Sequence, residues 1–183
     1  PRPARVLLVT SGNEVLQLAL DTAEVRSLAN VIVVDAAAWE TKPQQDLAAA
    51  GYYDVVVFDR YAPQKMPQAN TLFIGLAPPV EGWSQSAPHR QPIVIDTDHV
   101  HPMTQYVELG NAFIDPGHAL ETPPGGVTLI DSDVGSLCCI APRGGFEDAA
   151  RRPVYRDGRV LQPDDQSARH PYRRGSPFQV AGQ

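Results

Sequence analysis

Apolar residues fall in five short, nearly unbroken runs: "RVLLVT" (5–10), "NVIVVDA" (30–36), "DVVVFD" (54–59), "TLFIGLA" (71–77) and "PIVID" (92–96). They are rich in Val and Ile and hardly alternate, which is how strands buried on both faces of a parallel sheet read. Between the first three runs the period changes to that of helices. Residues 13–29 place Leu16, Leu20, Val25 and Leu28 at helical spacing. "ETKPQQDLAAAG" offers Thr41 as N-cap, Pro43 in the first turn and Gly51 as the stop. Strand–helix–strand repetition predicts right-handed crossovers and an α/β fold: a mainly parallel, Rossmann-like sheet, doubly wound and flanked by helices.

The alternation lapses after residue 59. "RYAPQKMPQAN" holds two prolines and no apolar period, so a loop or a single turn is predicted where such a fold would carry a helix. Residues 78–92 are again Pro-rich loop. "HPMTQYVELGN" reads as a short helix with Pro102 in its first turn, ending at Gly110. "PPGGVTLIDSDVGSLCCIAPRGG" reads as a β-hairpin over 128–141 turning near 133–135, and "FEDAARR" as one helical turn. This predicts one α/β domain over 1–150. An Arg/Pro-rich extension over 151–183 follows, with a hairpin at 154–161 around Asp157-Gly158. No internal repeat is visible.

Composition narrows the function classes. The net charge of −6 hides an asymmetry: 8 basic against 18 acidic residues in 1–150, and 7 arginines against 3 aspartates in 151–183. An acidic body argues against nucleic acid as a partner, and the basic tail reads as a solvated or self-docking extension. No apolar run is long enough to span a membrane. The abrupt entry into a strand at "PRPARVLLVT" reads as a piece of a longer chain. The two cysteines, Cys138 and Cys139, are neighbours, so no loop-closing disulfide framework is predicted.

Candidate chemistry is sparse. "TSGNE" after the first run is not the glycine-rich dinucleotide turn, no P-loop occurs, and no cofactor is expected. Ser11 reads as a helix cap, and Cys138 and Cys139 as buried packing thiols. Asp59 and Arg60 end the third strand, where α/β folds place ligands, and read as a local ion pair or a small polar site. "DTDHVH" is the densest cluster. Asp96, Asp98 and His101 could converge as a ligand or metal set, with His99 pointing away. The spacing matches no strong metal signature, so neither a metal nor a catalytic residue is assigned. Asp96 is expected to close a buried strand and Asp98 to cap the next helix.

Four blocks, "RVLLVTSGNEVLQLAL", "YDVVVFDRYAPQKMPQANTLFIGLAPP", "IDTDHVHPMTQYVELGNAFI" and "TLIDSDVGSLCCIAPRGGFEDA", resemble the C-terminal part of bacterial BatA-type proteins over roughly 4–150. These are membrane-anchored chains with a von Willebrand factor A domain, followed by a domain of the class I glutamine amidotransferase-like fold. The tail from Arg151 falls outside the resemblance. It implies an amidotransferase-like sheet, tethered to the bacterial inner membrane in the full-length protein, with other domains of that chain as partners. Active members need a cysteine on a sharp turn after a central strand, with a histidine and an acid later. Here the loop after "DVVVFDR" runs straight to "PQANTLFIGLAPP" with no cysteine, and His99, His101 and His118 have no nucleophile to activate. The implied function is a non-catalytic interaction or scaffolding domain, a pseudoenzyme. The alternative is a metal-dependent hydrolase or transferase using Asp96, Asp98 and His101.

Overall fold

The computed structural model describes residues 2–109, 114 and 117–151, and beyond them the backbone of two short strands. In chain order the elements are β1 (Ala4–Val9), α1 (Glu14–Leu20), α2 (Ala23–Leu28), β2 (Ala29–Val34), α3 (Ala36–Trp39), α4 (Lys42–Ala49), β3 (Val55–Asp59) and β4 (Asn70–Ile74). They continue with β5 (Ser84–Gln85), β6 (Val94–Thr97), β7 (Leu120–Glu121), β8 (Val127–Ser132), β9 (Cys138–Arg143) and β10 (Phe146–Arg151). The last two are β11 (Tyr155–Arg156) and β12 (Arg159–Val160).

Eight strands form one mixed sheet in the order β2-β1-β3-β4-β10-β9-β8-β6. The half from β2 to β10 is parallel, and β10, β9, β8 and β6 run antiparallel. The α/β class and the first four strands agree with the hydrophobic runs. Helices lie on both faces. Leu16 and Leu20 of α1 pack with Leu8, Val57 and Ile74 on one side. Trp39 of α3 and Ala48 of α4 pack with Leu7, Val9, Val56 and Phe58 on the other. β1, β3 and β4 lack alternation because each must satisfy an apolar layer above and below it, whereas β2 lies at the sheet edge and leaves Ile32 and Val33 exposed.

Local chemistry sets the helix limits. The helical stretch expected over 13–29 is two helices, because Thr22 accepts from the Val25 amide and starts a second one after Asp21. Asn13, not Ser11, caps α1 through the Leu16 amide. Asp35 caps α3, a helix the periodicity did not indicate. Thr41 and Pro43 open α4 as expected, and Gly51 follows its end at φ 68°. Among the described residues β3 and β4 are joined without a helix.

Three expectations are corrected. The run 92–96 is not a buried parallel strand: β6 is antiparallel to β8 and lies at the sheet edge, with Ile93 and Ile95 exposed. The strand that does continue the parallel half is β10, which lies beside β4 although "FEDAAR" read as helical. It forms because Gly144 and Gly145, both at positive φ, close a two-residue hairpin with β9. Residues 101–106 form turns rather than a helix, and Gly110 lies outside the described residues. The 128–141 hairpin is present as β8 and β9. The tail strands β11 and β12 pair antiparallel at the predicted place, with Asp157 and Gly158 outside the described residues.

One buried polar group ties the halves together. Asp148 of β10 is fully buried and accepts from Thr71 Oγ1 of β4 at 2.6 Å. Arg143 Nε donates to both its oxygens at 3.0 and 2.8 Å, while Arg143 Nη2 donates to the Pro67 and Ala69 carbonyls. No charge or donor in this cluster is left without a partner by the burial, which is the condition for tolerating an ion pair inside a core.

Candidate functional site

At the C-terminal ends of the parallel strands, Asp59 is 2% exposed. Thr10 Oγ1, just past β1, donates to Asp59 Oδ2 at 2.8 Å and accepts from the Gly12 amide at 3.2 Å. Arg60 Nη2 lies 3.4 Å from the same carboxylate oxygen, and the guanidinium remains about half exposed. Arg60 has φ 51°, a left-handed backbone unusual for a long side chain, and its amide donates to the Ile74 carbonyl at 2.8 Å. The Asp59–Arg60 pair is therefore a local ion pair held by a strained turn. Its carboxylate serves the fold, and only the guanidinium faces outwards.

The turn after β4 carries Gly75 at φ 89°. A positive φ directly after a central strand is the backbone of a nucleophile elbow, but glycine supplies no attacking atom. Tyr61, two residues after β3, donates to Glu40 Oε1. Burial, aided by that carboxylate, pushes its hydroxyl up to about 12. A phenol held protonated in this way is a donor, not a base at neutral pH.

Both thiols are buried. Burial pushes Cys138 up to about 12 and also raises Cys139, against hydrogen bonds from Ser136 and Thr122. Neither is in an electropositive, open setting that would make it a nucleophile. His118 Nδ1 lies 2.9 Å from the Ser86 carbonyl, in the small sheet region around β5 and β7.

The "DTDHVH" segment is arranged differently from the expectation. Asp96 and Thr97 belong to the exposed edge strand β6, so Asp96 does not close a buried strand. Asp98 does act as a cap: its Oδ1 accepts from the amides of Val100 at 2.9 Å and His101 at 3.2 Å, over turns instead of a helix. Its backbone carbonyl also accepts from the buried Thr104 hydroxyl. His101 Nδ1 accepts from the Met103 amide. The residue sharing a cavity with Asp96 is His99, which was expected to diverge, and Glu108 joins them. Neither Asp98 nor His101 lines that cavity. Among the described residues no group of three or more His, Cys, Asp and Glu side chains is placed to hold a metal.

That cavity is an open groove of about 580 Å³ along β6, with Ile93, Ile95, Leu109 and Ile114 in its wall. Periodicity could not reveal it, since "PIVID" reads alike for a buried strand and an exposed apolar edge. Along it Ile93 is 66% exposed and Ile95 63%. Among the described residues no helix is long and apolar enough to cross a membrane.

No family model matches the chain, and no curated protein matches it. Among solved structures it is similar to a protein from Parabacteroides merdae described as ThuA-like, at 14% identity and a TM-score of 0.48, over 82% of this chain and 79% of that one. It is also similar to a Thermoplasma acidophilum protein described as part of a GMP synthase, at 10% identity and a TM-score of 0.46, over 81% and 83%.

Proposed function

We propose that this chain is a non-catalytic interaction domain on an amidotransferase-like sheet, and that its β6 edge is the surface that meets a protein segment. The observation that carries the reading is the edge itself. β6 is the last strand of the sheet, and Ile93 and Ile95 stand exposed along it. An unpaired strand offers a row of amides and carbonyls to an incoming strand, and apolar side chains beside it add affinity. The strand ends support the same reading, since Gly75 stands where an elbow needs a nucleophile and the thiols are buried.

The resemblance to BatA-type chains adds the finer proposal that the domain is carried by a membrane-anchored bacterial protein and meets its neighbouring domains. The metal-dependent alternative has less in its favour. Asp98 is engaged by backbone amides, and His101 lies away from the groove that Asp96 lines.

Ammonia release from glutamine tests the non-catalytic reading. The protein should release none above the buffer rate. Turnover that Cys138→Ala or Cys139→Ala abolishes overturns it, because an acyl-enzyme route needs a thiolate.

A further inference from the structure

We propose that the β6 groove is covered in cis by residues 167–180 of this same chain, "SARHPYRRGSPFQV", added as an extended strand to the open sheet edge. The proposal rests on the β6 edge being a docking surface and names its occupant.

Chemistry on the two sides is complementary. The groove combines the apolar side chains of Ile93, Ile95, Leu109 and Ile114 with the carboxylates of Asp96 and Glu108. The segment carries Arg169, Arg173 and Arg174, with no acidic residue from 166 to 183. It also carries apolar residues of its own. Phe178 and Val180 are two apart, so in an extended chain both face the same side and can enter one apolar wall. Pro171 and Pro177 bias the residues before them toward extended backbone, which lowers the ordering cost of docking as a strand.

Placement agrees. Arg151, where β10 ends, pairs with Cys138. Cys138 pairs with Ile130, and Ile130 with Thr97 of β6. The chain therefore leaves the sheet in the cross-strand row that contains β6, and three strand spacings amount to roughly 14 Å. Residues 152–166 can reach about 50 Å when extended, which is ample even with a hairpin within them.

A second copy is a poorer occupant. Pairing of β6 with its own twin would be isologous and would bring Asp96 and Glu108 toward their counterparts, where like charges opposed across strands repel.

The test uses the full chain. Because Cys138 and Cys139 are buried, a nitroxide on Gln179→Cys labels the tail selectively, and paramagnetic broadening of the β6 amides is read at low concentration. The β6 amide signals should lose most of their intensity while those of β2, at the opposite edge, keep theirs. Asp96→Lys with Glu108→Lys should restore the β6 signals. Broadening seen only when nitroxide-bearing chains are mixed with isotope-labelled ones makes a second copy the occupant and overturns the proposal. No broadening, with β6 amides still protected from hydrogen exchange, also overturns it, while the docking surface stands. Absence of both contact and protection removes the tail and the docking surface together.

Discussion

At the scale of single residues, one buried side chain that holds the sheet together is hidden in the sequence. Asp148 sits in "FEDAAR", where Glu, Ala and Arg favour a helix and an aspartate reads as solvated surface. It is buried because Thr71 and Arg143 reach it from residues far away or across a hairpin, and such partners leave no local pattern. Arg143→Ala should destabilise the protein by about 3–5 kcal/mol in urea titration, since it strands a buried carboxylate. Arg143→Met combined with Asp148→Leu should recover much of that loss. Asp98 was legible, because an aspartate ahead of a turn is a cap whatever follows. Asp98→Ala should lower stability by about 1 kcal/mol. Asp54 gives a pH signature. The hydrogen bonds from Arg2 and the Arg5 amide hold its carboxyl well below the usual carboxylate range. A folded-state value below the unfolded one means stability that is fully present above about pH 4 and lost as the pH falls through the folded value. The melting-temperature gap between the wild type and Asp54→Ala should therefore be constant near neutrality and close in acid.

At the scale of elements, the runs that became β1, β3 and β4 were legible because both their faces are covered, so apolar content and location coincide; β2 was legible as a strand, although it lies at an edge with Ile32 and Val33 exposed. β6 and β10 were not, for opposite reasons. "PIVID" is apolar yet lies at an edge, whereas "FEDAAR" is polar yet lies inside, between β4 and β9. The better signal for β10 was the turn before it. Gly144 and Gly145 both take positive φ, and no neighbouring atom would obstruct a side chain at either. Any penalty at this turn is then purely conformational. Gly145→Ala should cost about 1–2 kcal/mol in the same titration, and replacement by a D-alanine through chemical synthesis should be tolerated.

At the scale of the whole molecule, the candidate site was legible in its residues and not in its grouping. The sequence put Asp96, Asp98 and His101 forward together; the fold assigns Asp98 to backbone amides and gathers Asp96, His99 and Glu108 along a groove. Grouping depends on which way an edge strand and a turn face, and that is decided by β8 rather than by the segment's own residues. With no convergent ligand set among the described residues, chelator treatment should leave the melting temperature unchanged. A stoichiometric metal that raises it, and fails to do so in Asp96→Ala, would contradict this arrangement.

The insertion of β10 beside β4 also has a consequence for biosynthesis. β4 is complete at Ile74, but the strand that covers its far side does not begin until Phe146. During translation the apolar parallel half must wait with a bare edge while some seventy further residues emerge. A parallel neighbour cannot zip up through a tight turn, so this pairing carries a long loop-closure penalty and comes late. Chains cut or stalled before residue 146 would present that edge to one another, and nascent protein would depend on holdase chaperones until the last strand arrives.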